Sequence, residues 1–355
     1  MKLSKSYFDD IRYFDETYKR VFMLIFLVVL FFVPQFFGSY MIFLLNLIGV
    51  YCIMAVGLNI LFGYTGQISM GHAAFMAIGA YSSAIMTSKA GIPFILALPL
   101  SGFIAALIGS VAGFPALRIK GLYLALATMS FAYSINVLIV EWTSMTRGAD
   151  GLKVLPPSIG PVVLDTDLKK FYLIYIVAIV MLVIAKNIIR TRNGRAFIAV
   201  RDSEIAAQTM GIKLSKYKII SFGVSSFYAG ISGSLFAHLL EFIGPHNFTL
   251  LESIAFIIMV VVGGVGSILG SIIGAVFMTI LPEVIRLLKD YLPKVLLQQQ
   301  GLEAIIYGAI LIIFISFEPG GLYGRWLRIK EYWRTYPLGK KMKRKRIMVS
   351  SARRI

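Results

Sequence analysis

The sequence predicts an all-α integral membrane protein, a polytopic helical bundle of about ten crossings with an inverted repeat and short cytoplasmic helices. Three observations carry this. Of 355 residues, 58% are apolar and 15% are charged, where an ordinary soluble chain is about 25% charged. A soluble domain of this length cannot hide so much apolar surface and still present a wet exterior, so a soluble enzyme is excluded. The apolar residues also fall into uncharged runs of spanning length, and the basic residues cluster in alternate gaps between them.

The runs are Val21–Phe37, Tyr40–Phe62, Ala73–Ser88, Ile92–Leu117, Leu122–Val140, Phe171–Ala185, Ile219–Leu240, Ser253–Leu281 and Ala304–Phe317. A helix crossing about 30 Å of hydrocarbon needs about 20 residues, and most runs fit one crossing. Ser253–Leu281 is too long for one and is broken by Gly263, Gly264 and Gly266. It is expected to form two short helices joined at a glycine turn. The run from Val21 has no small-residue cleavage motif after it, so it is expected to remain a span. Cys52 is the single cysteine, which excludes an intrachain disulfide and a cysteine metal cluster.

Charge sets the orientation. With Met1 inside and ten crossings, 27 of the 35 Lys and Arg fall in inner segments, and both termini are cytoplasmic. The predicted organisation is a cytoplasmic segment 1–20, a membrane domain 21–324 with a cytoplasmic loop 186–218, and a basic tail 325–355. The tail stretch Lys340–Arg346 is placed against anionic lipid rather than nucleic acid.

No Asp, Glu, Lys or Arg lies inside these cores. Ion-coupled carriers and voltage sensors keep such groups at depth, so neither class fits. A phosphate-binding Gly-rich loop and a zinc His-Glu-x-x-His motif are both missing, so the chain is not expected to hydrolyse ATP or bind catalytic zinc. His72, His238 and His246 show no ligand spacing. Any pumping must draw its energy from another subunit.

The loop between Lys186 and Lys218 is the sizeable inner connection. Asn193 is placed to cap one short helix, Asp202 or Ser203 a second, with Glu204 in its first turn and Gly211 as its stop. Ala206 and Ala207 leave a flat face for a close partner. A plain solvated connector fits the same spacing.

Here the residues carry a resemblance. Glu204-Ile205-Ala206-Ala207 followed by Gly211 resembles the Glu-Ala-Ala coupling loop of ABC importer permeases. Further matches are Arg118–Thr128, Thr146–Leu152, Gly57–Phe75, Gly263–Ser267 and Phe317–Gly324. In this order, over about Tyr40 to Gly324, they resemble the LivM-type permeases of branched-chain amino-acid ABC importers. Arg147-Gly148-Ala149 departs from the paired glycines common in the outer-loop motif. The resemblance implies a transport subunit rather than an enzyme, in the cytoplasmic (inner) membrane of a prokaryote. It implies two ABC ATPase subunits that carry ATP and Mg, with no cofactor on this chain itself. A second, LivH-like permease chain and an external substrate-binding protein complete the set. Arg195, Arg201, Asp202, Glu204, Ala206, Ala207 and Gly211 become the ATPase-coupling residues. Permeases for urea or short amides share this build, and a self-sufficient channel is the rival from another class. A channel needs no ATPase dock.

Physical reading adds pathway candidates. Gly63–Phe75 interrupts two apolar runs with glycines and polar residues, and broken backbone at membrane depth survives only against protein or a wet cavity. Gly66, Gln67, Ser69, His72, Gly264 and Gly266 are the candidates, with Gly66–Gly71 and Gly266–Gly270 as a faint inverted repeat. A cytoplasmic turn packed through small residues is the alternative. Asn46, Asn59, Thr128, Ser130 and Asn136 are expected in interhelical hydrogen bonds, and Gly102, Gly109 and Gly113 in packing. The outer loop Glu141–Lys170 is a candidate surface for the binding protein.

Overall fold

The computed structural model describes residues 32–160, 162–289, 307–309, 311–312, 316, 318 and 320–335. Eleven helices of six residues or more organise them. They are α1 Ser39–Asn59, α2 His72–Ser88, α3 Phe94–Ala112, α4 Leu122–Glu141, α5 Asp167–Arg190 and α6 Arg192–Asp202. α7 Glu204–Thr209, α8 Leu214–Leu240, α9 Leu250–Gly263, α10 Ile268–Lys289 and α11 Gly321–Thr335 follow. Seven of the described helical segments are long and apolar enough to cross a membrane. The third predicted span, α2, has 17 residues and runs through the middle of the bundle, with Ala73, Phe75, Ala80 and Ala84 buried. Of the ten predicted crossings, Val21–Phe37 and Ala304–Phe317 lie largely outside the described residues, as does Lys340–Arg346.

The long run does break at its glycines. α9 ends on Gly264 at φ 132°, Gly266 follows at φ 77°, and α10 returns antiparallel. Both φ values lie where only glycine sits without strain, so the turn was legible as a break in an apolar run.

α8 is the hub. It packs against α3, α2 and α1, and its small residues make that possible. Gly79 of α2 lies directly on the Gly230 backbone, and a Cβ at Gly230 would strike Ala105 of α3, so neither position admits a side chain. Gly102, Gly109 and Gly113 of α3 seat Phe227, Ser226 and Phe222 of α8, so that series packs as expected. In lipid no hydrophobic force draws helices together, and close backbone approach through small residues supplies the contact instead. The outward faces of α3 and α5 are apolar, with Phe103, Leu107, Ile176 and Val180 exposed. That is the surface expected against hydrocarbon.

At the opposite end from the α6–α7 loop, Lys89 at the end of α2 donates to the Ser144 carbonyl at 2.7 Å. Leu152 pairs with Ile243 in a short antiparallel ladder. Lys170, almost fully buried, meets Glu241 at 2.6 Å. These contacts fold the loop 141–170 onto the bundle.

Candidate coupling loop and polar seam

The loop after α5 folds back on the bundle as two helices set end to end. α6 starts from Thr191, not Asn193, which sits inside the helix. The Thr191 hydroxyl donates to the Ile188 carbonyl at 2.7 Å, so no side chain caps α6. α7 is capped by Ser203, whose Oγ accepts from the Ala206 amide at 3.2 Å. Gly211 ends the element at φ 80°. Ala206 is exposed and Ala207 buried, so one alanine rather than two faces outward.

Two charged side chains fasten this loop to the ends of the spans. Arg201 donates to the Gly63 carbonyl at 3.0 Å and also pairs with Asp202 at 2.9 Å. A Cβ added at Gly66 would lie 3.1 Å from Arg201 Cγ, and one at Gly266 3.3 Å from Arg201 Nη1. Arg201 therefore sits between the turn after α1 and the turn between α9 and α10. A Cβ at Gly66 would meet the aliphatic stem of Arg201 and one at Gly266 its guanidinium, so the two glycine segments of the faint repeat lie beside one side chain.

Glu204 is the second fastener. Its two carboxylate oxygens take Lys120 at 2.6 Å and Lys218 at 2.8 Å. Lys218 is 4% exposed and also donates to the Ala116 carbonyl at 3.1 Å. Partial burial raises the Glu204 carboxyl, but the hydrogen bonds from Lys120 and Lys218 outweigh it and hold the group below the usual glutamate value. Sequence spacing could not find this node, because Lys120 and Lys218 lie far from Glu204 along the chain. Next to it, Ile205 and Met210 are 78% and 82% exposed.

Behind the loop, a non-helical segment enters the bundle. α1 ends in a π turn, Ile60–Tyr64, and Gly66 takes φ 74°. The chain then descends beside α8. Gln67 Nε2 donates to Ser221 Oγ at 2.7 Å, and His72 and Ser225 share a hydrogen bond of 2.6 Å. Ser225 follows Leu214, the first residue of α8, by three helical turns, or about 16 Å at 1.5 Å per residue. So α2 begins inside the bundle, beside the third turn of α8 rather than at its end. The exposed amides of the segment are met by side chains: Met70 donates to Thr128 Oγ1 at 2.9 Å, Gly71 to Ser69 Oγ at 3.3 Å and Ala73 to Ser253 Oγ at 3.0 Å.

Gln67, Ser69 and His72 are all buried inside this chain. Gln67 Oε1, His72 Nδ1 and Ser226 Oγ are buried without a hydrogen-bond partner. Each such atom costs about 1–3 kcal/mol, so the α2–α8 seam is polar and incompletely satisfied. Gly264 and Gly266 lie apart from it, in the α9–α10 turn. There Asn59 donates to the Ser267 carbonyl at 2.8 Å and to Ser271 Oγ at 2.7 Å, and accepts from the Gly266 amide at 2.9 Å. Asn46 reaches the Asp167 carbonyl and Asn136 the Pro245 carbonyl. Ser130 differs from expectation: its hydroxyl bonds the Leu126 carbonyl of its own helix. It lies on an outward face of α4 with Tyr123, Tyr133 and Ser134. The i, i+3, i+4 spacing of these hydroxyls was the signal available for that face.

Among the described residues no group of three or more His, Cys, Asp or Glu is placed to hold a metal ion.

Apolar helices that cross a membrane repeatedly, with a folded polar loop at one end, define an all-α polytopic membrane protein. Residues 40–315 match the family described as the branched-chain amino acid transport system permease component, and the chain belongs to that family. It is 30% identical over 297 residues to the high-affinity branched-chain amino acid transport system permease protein LivM of Escherichia coli, covering 77% of this chain and 67% of the relative. The LivM protein of Salmonella typhimurium is 29% identical over the same shares. The autoinducer 2 import system permease protein LsrC of an Enterobacter strain is 28% identical over 54% of this chain and 57% of its own. No solved structure matches the chain.

Proposed function

We propose that this chain is the membrane-spanning permease subunit of an ATP-driven importer for leucine, isoleucine and valine. Two ATPase subunits bind its α6–α7 loop, a second permease chain completes the pathway, and an external binding protein delivers substrate. ATP and Mg act on the ATPase subunits, not on this chain. The assembly lies in the cytoplasmic membrane of a prokaryote, with both termini of the chain inside.

One observation carries the reading: α6 and α7 are bonded to several spans at once. Glu204 joins the start of α4, through Lys120, to the start of α8, through Lys218. Arg201 joins α6 to the turn after α1. A displacement applied to α7 is thus delivered to the ends of α4 and α8 together. A connector has no need of such bracing. The exposed Ile205 beside it gives an ATPase subunit an apolar side chain to bury on docking.

The pathway follows from the solvent argument. A branched-chain amino acid is a zwitterion with an apolar tail, so its path needs neutral walls with sparse hydroxyls. α4 offers Tyr123, Ser130, Tyr133 and Ser134 outward, where a second permease chain would close the cavity. The unpartnered Gln67 Oε1 leaves the α2–α8 seam short of full hydrogen bonding, which lowers the cost of repacking it. A charged residue in place of Ile205 tests the docking. Ile205→Glu should abolish co-purification of the ATPase subunits while leaving membrane insertion intact. Normal co-purification would overturn the assignment of this surface.

A further inference from the structure

The loop also encloses a cleft that the Glu204 and Arg201 fasteners do not enter. Its volume is about 520 Å³, and it is walled by the first turn of α6, residues 210–213 and the first turn of α8. Arg192, Arg195, Lys213 and Lys216 line it, and no acid does. Arg195 donates to the Arg190 carbonyl at 3.1 Å. Arg192, Lys213 and Lys216 have no carboxylate partner among the described residues, because Asp202 is held by Arg201 and Glu204 by Lys120 and Lys218.

Two further features point inward at an anion. The first amides of α6 face this end of the helix without a side-chain cap, which favours negative charge. Tyr217 lines the cleft and is nine-tenths buried. Cations gathered without a counter-ion repel one another, while arginine forks match the oxygens of a phosphate.

The position selects the source of that phosphate. α5 ends at Arg190 and α8 begins at Leu214, so the cleft lies where two spans leave the hydrocarbon, at the depth of lipid headgroups. α5 exposes Ile176, Val180 and Val183 along its outer side, so lipid reaches the cleft along that helix. Ala196 and Ile212 give the cleft an apolar part. We infer that it binds the phosphate headgroup of an anionic membrane lipid, fixing the α6–α7 loop against the bilayer surface.

The test uses the purified transporter complex in neutral detergent, titrated with short-chain phosphatidylglycerol, short-chain phosphatidylcholine or inorganic phosphate. Thermal unfolding is the readout. Phosphatidylglycerol should raise the unfolding temperature saturably, and phosphatidylcholine should not. The Lys213→Gln, Lys216→Gln double variant should weaken the response about tenfold, the effect of losing a charge-assisted contact. Tyr217→Phe should weaken it several-fold and serves if the double variant fails to fold. An equal response to phosphatidylcholine, or to inorganic phosphate alone, overturns the proposal. So does an unchanged lipid response in variants that instead release the ATPase subunits, which would assign the cleft to protein.

Discussion

The carboxylate of Glu204 lies 2.8 Å from the ammonium of Lys218, a cation that is only 4% exposed. A buried ammonium without a counter-charge is costly, and breaking such a pair by removing one partner destabilises strongly. Glu204 therefore has a structural duty inside this chain, besides any contact with a partner. Its position in the first turn of α7 also suits the helix dipole.

Glu204→Gln should cost about 1–3 kcal/mol of stability at neutral pH, because Lys218 loses its counter-charge and keeps only neutral acceptors such as the Ala116 carbonyl. The Glu204 carboxyl is held below its ordinary value, which is about 4.3 for glutamate. A group with a depressed folded pKa contributes above its unfolded pKa, and that contribution is lost as pH falls through the folded value. Thermal unfolding of the native chain and the variant should therefore differ by a constant amount around neutral pH. The difference should close only in acid, below the ordinary glutamate range. A difference that closes near neutrality would contradict the ion-pair account.

Gly211 has nothing within 4 Å of the position where a Cβ would stand, and its φ is 80°. Gly211→Val should therefore act through backbone strain alone, at about 1–2 kcal/mol. Gly211→Ala should be milder, and Gly211→Asn milder still, because asparagine tolerates the left-handed region. Urea unfolding of the three variants checks the order. Equal losses for all three would point to side-chain crowding and overturn this reading.

The orientation drawn from basic residues has its own check. Asp150 lies in the loop after α4, and Ser203 lies between α6 and α7. In a Cys52→Ala background, a cysteine at position 150 should react with an impermeant thiol reagent in intact cells, and one at position 203 should not. The reverse pattern would invert the topology.

Much of the scaffold was legible because lipid imposes a simple rule: an uncharged apolar run must become a helix. That rule placed α1, α3, α4, α5 and α8, and the glycines located the α9–α10 turn. It left His72–Ser88 open in one respect. Gly63–Phe75 fitted either broken backbone at depth or a cytoplasmic turn, whereas the start of α2 is buried beside the third turn of α8. Depth depends on Ser221 and Ser225, which meet Gln67 and His72 only after α8 has packed. Ser203 and Gly211 announced the ends of α7 through local backbone chemistry. Lys120 and Lys218 announced nothing, since their role exists only once two helix ends are brought to Glu204.

The uncharged spans predict weak substrate binding. Tight recognition of a zwitterion needs paired charges or several oriented donors. No Asp, Glu, Lys or Arg occupies the predicted cores. A helix start such as that of α2 supplies about 1 kcal/mol, whereas micromolar affinity requires about 8 kcal/mol. Calorimetry on the permease complex without its binding protein should give millimolar or weaker binding of leucine, isoleucine and valine. Low-micromolar binding would reveal a built site within the spans.

In the proposed assembly the α6–α7 loop delivers the work of ATP to the spans through Glu204. The most direct measurement of this is leucine transported per ATP hydrolysed, in proteoliposomes holding the complete complex and binding protein. Glu204→Arg puts a cation between Lys120 and Lys218, which are held at 2.6 and 2.8 Å in the native chain. The variant should reach the membrane and retain its ATPase subunits, at a lower unfolding temperature than the native chain, yet lose ATP-driven leucine uptake. Uptake at the native rate, with a native ratio of leucine to ATP, would reduce the loop to a connector and contradict the account.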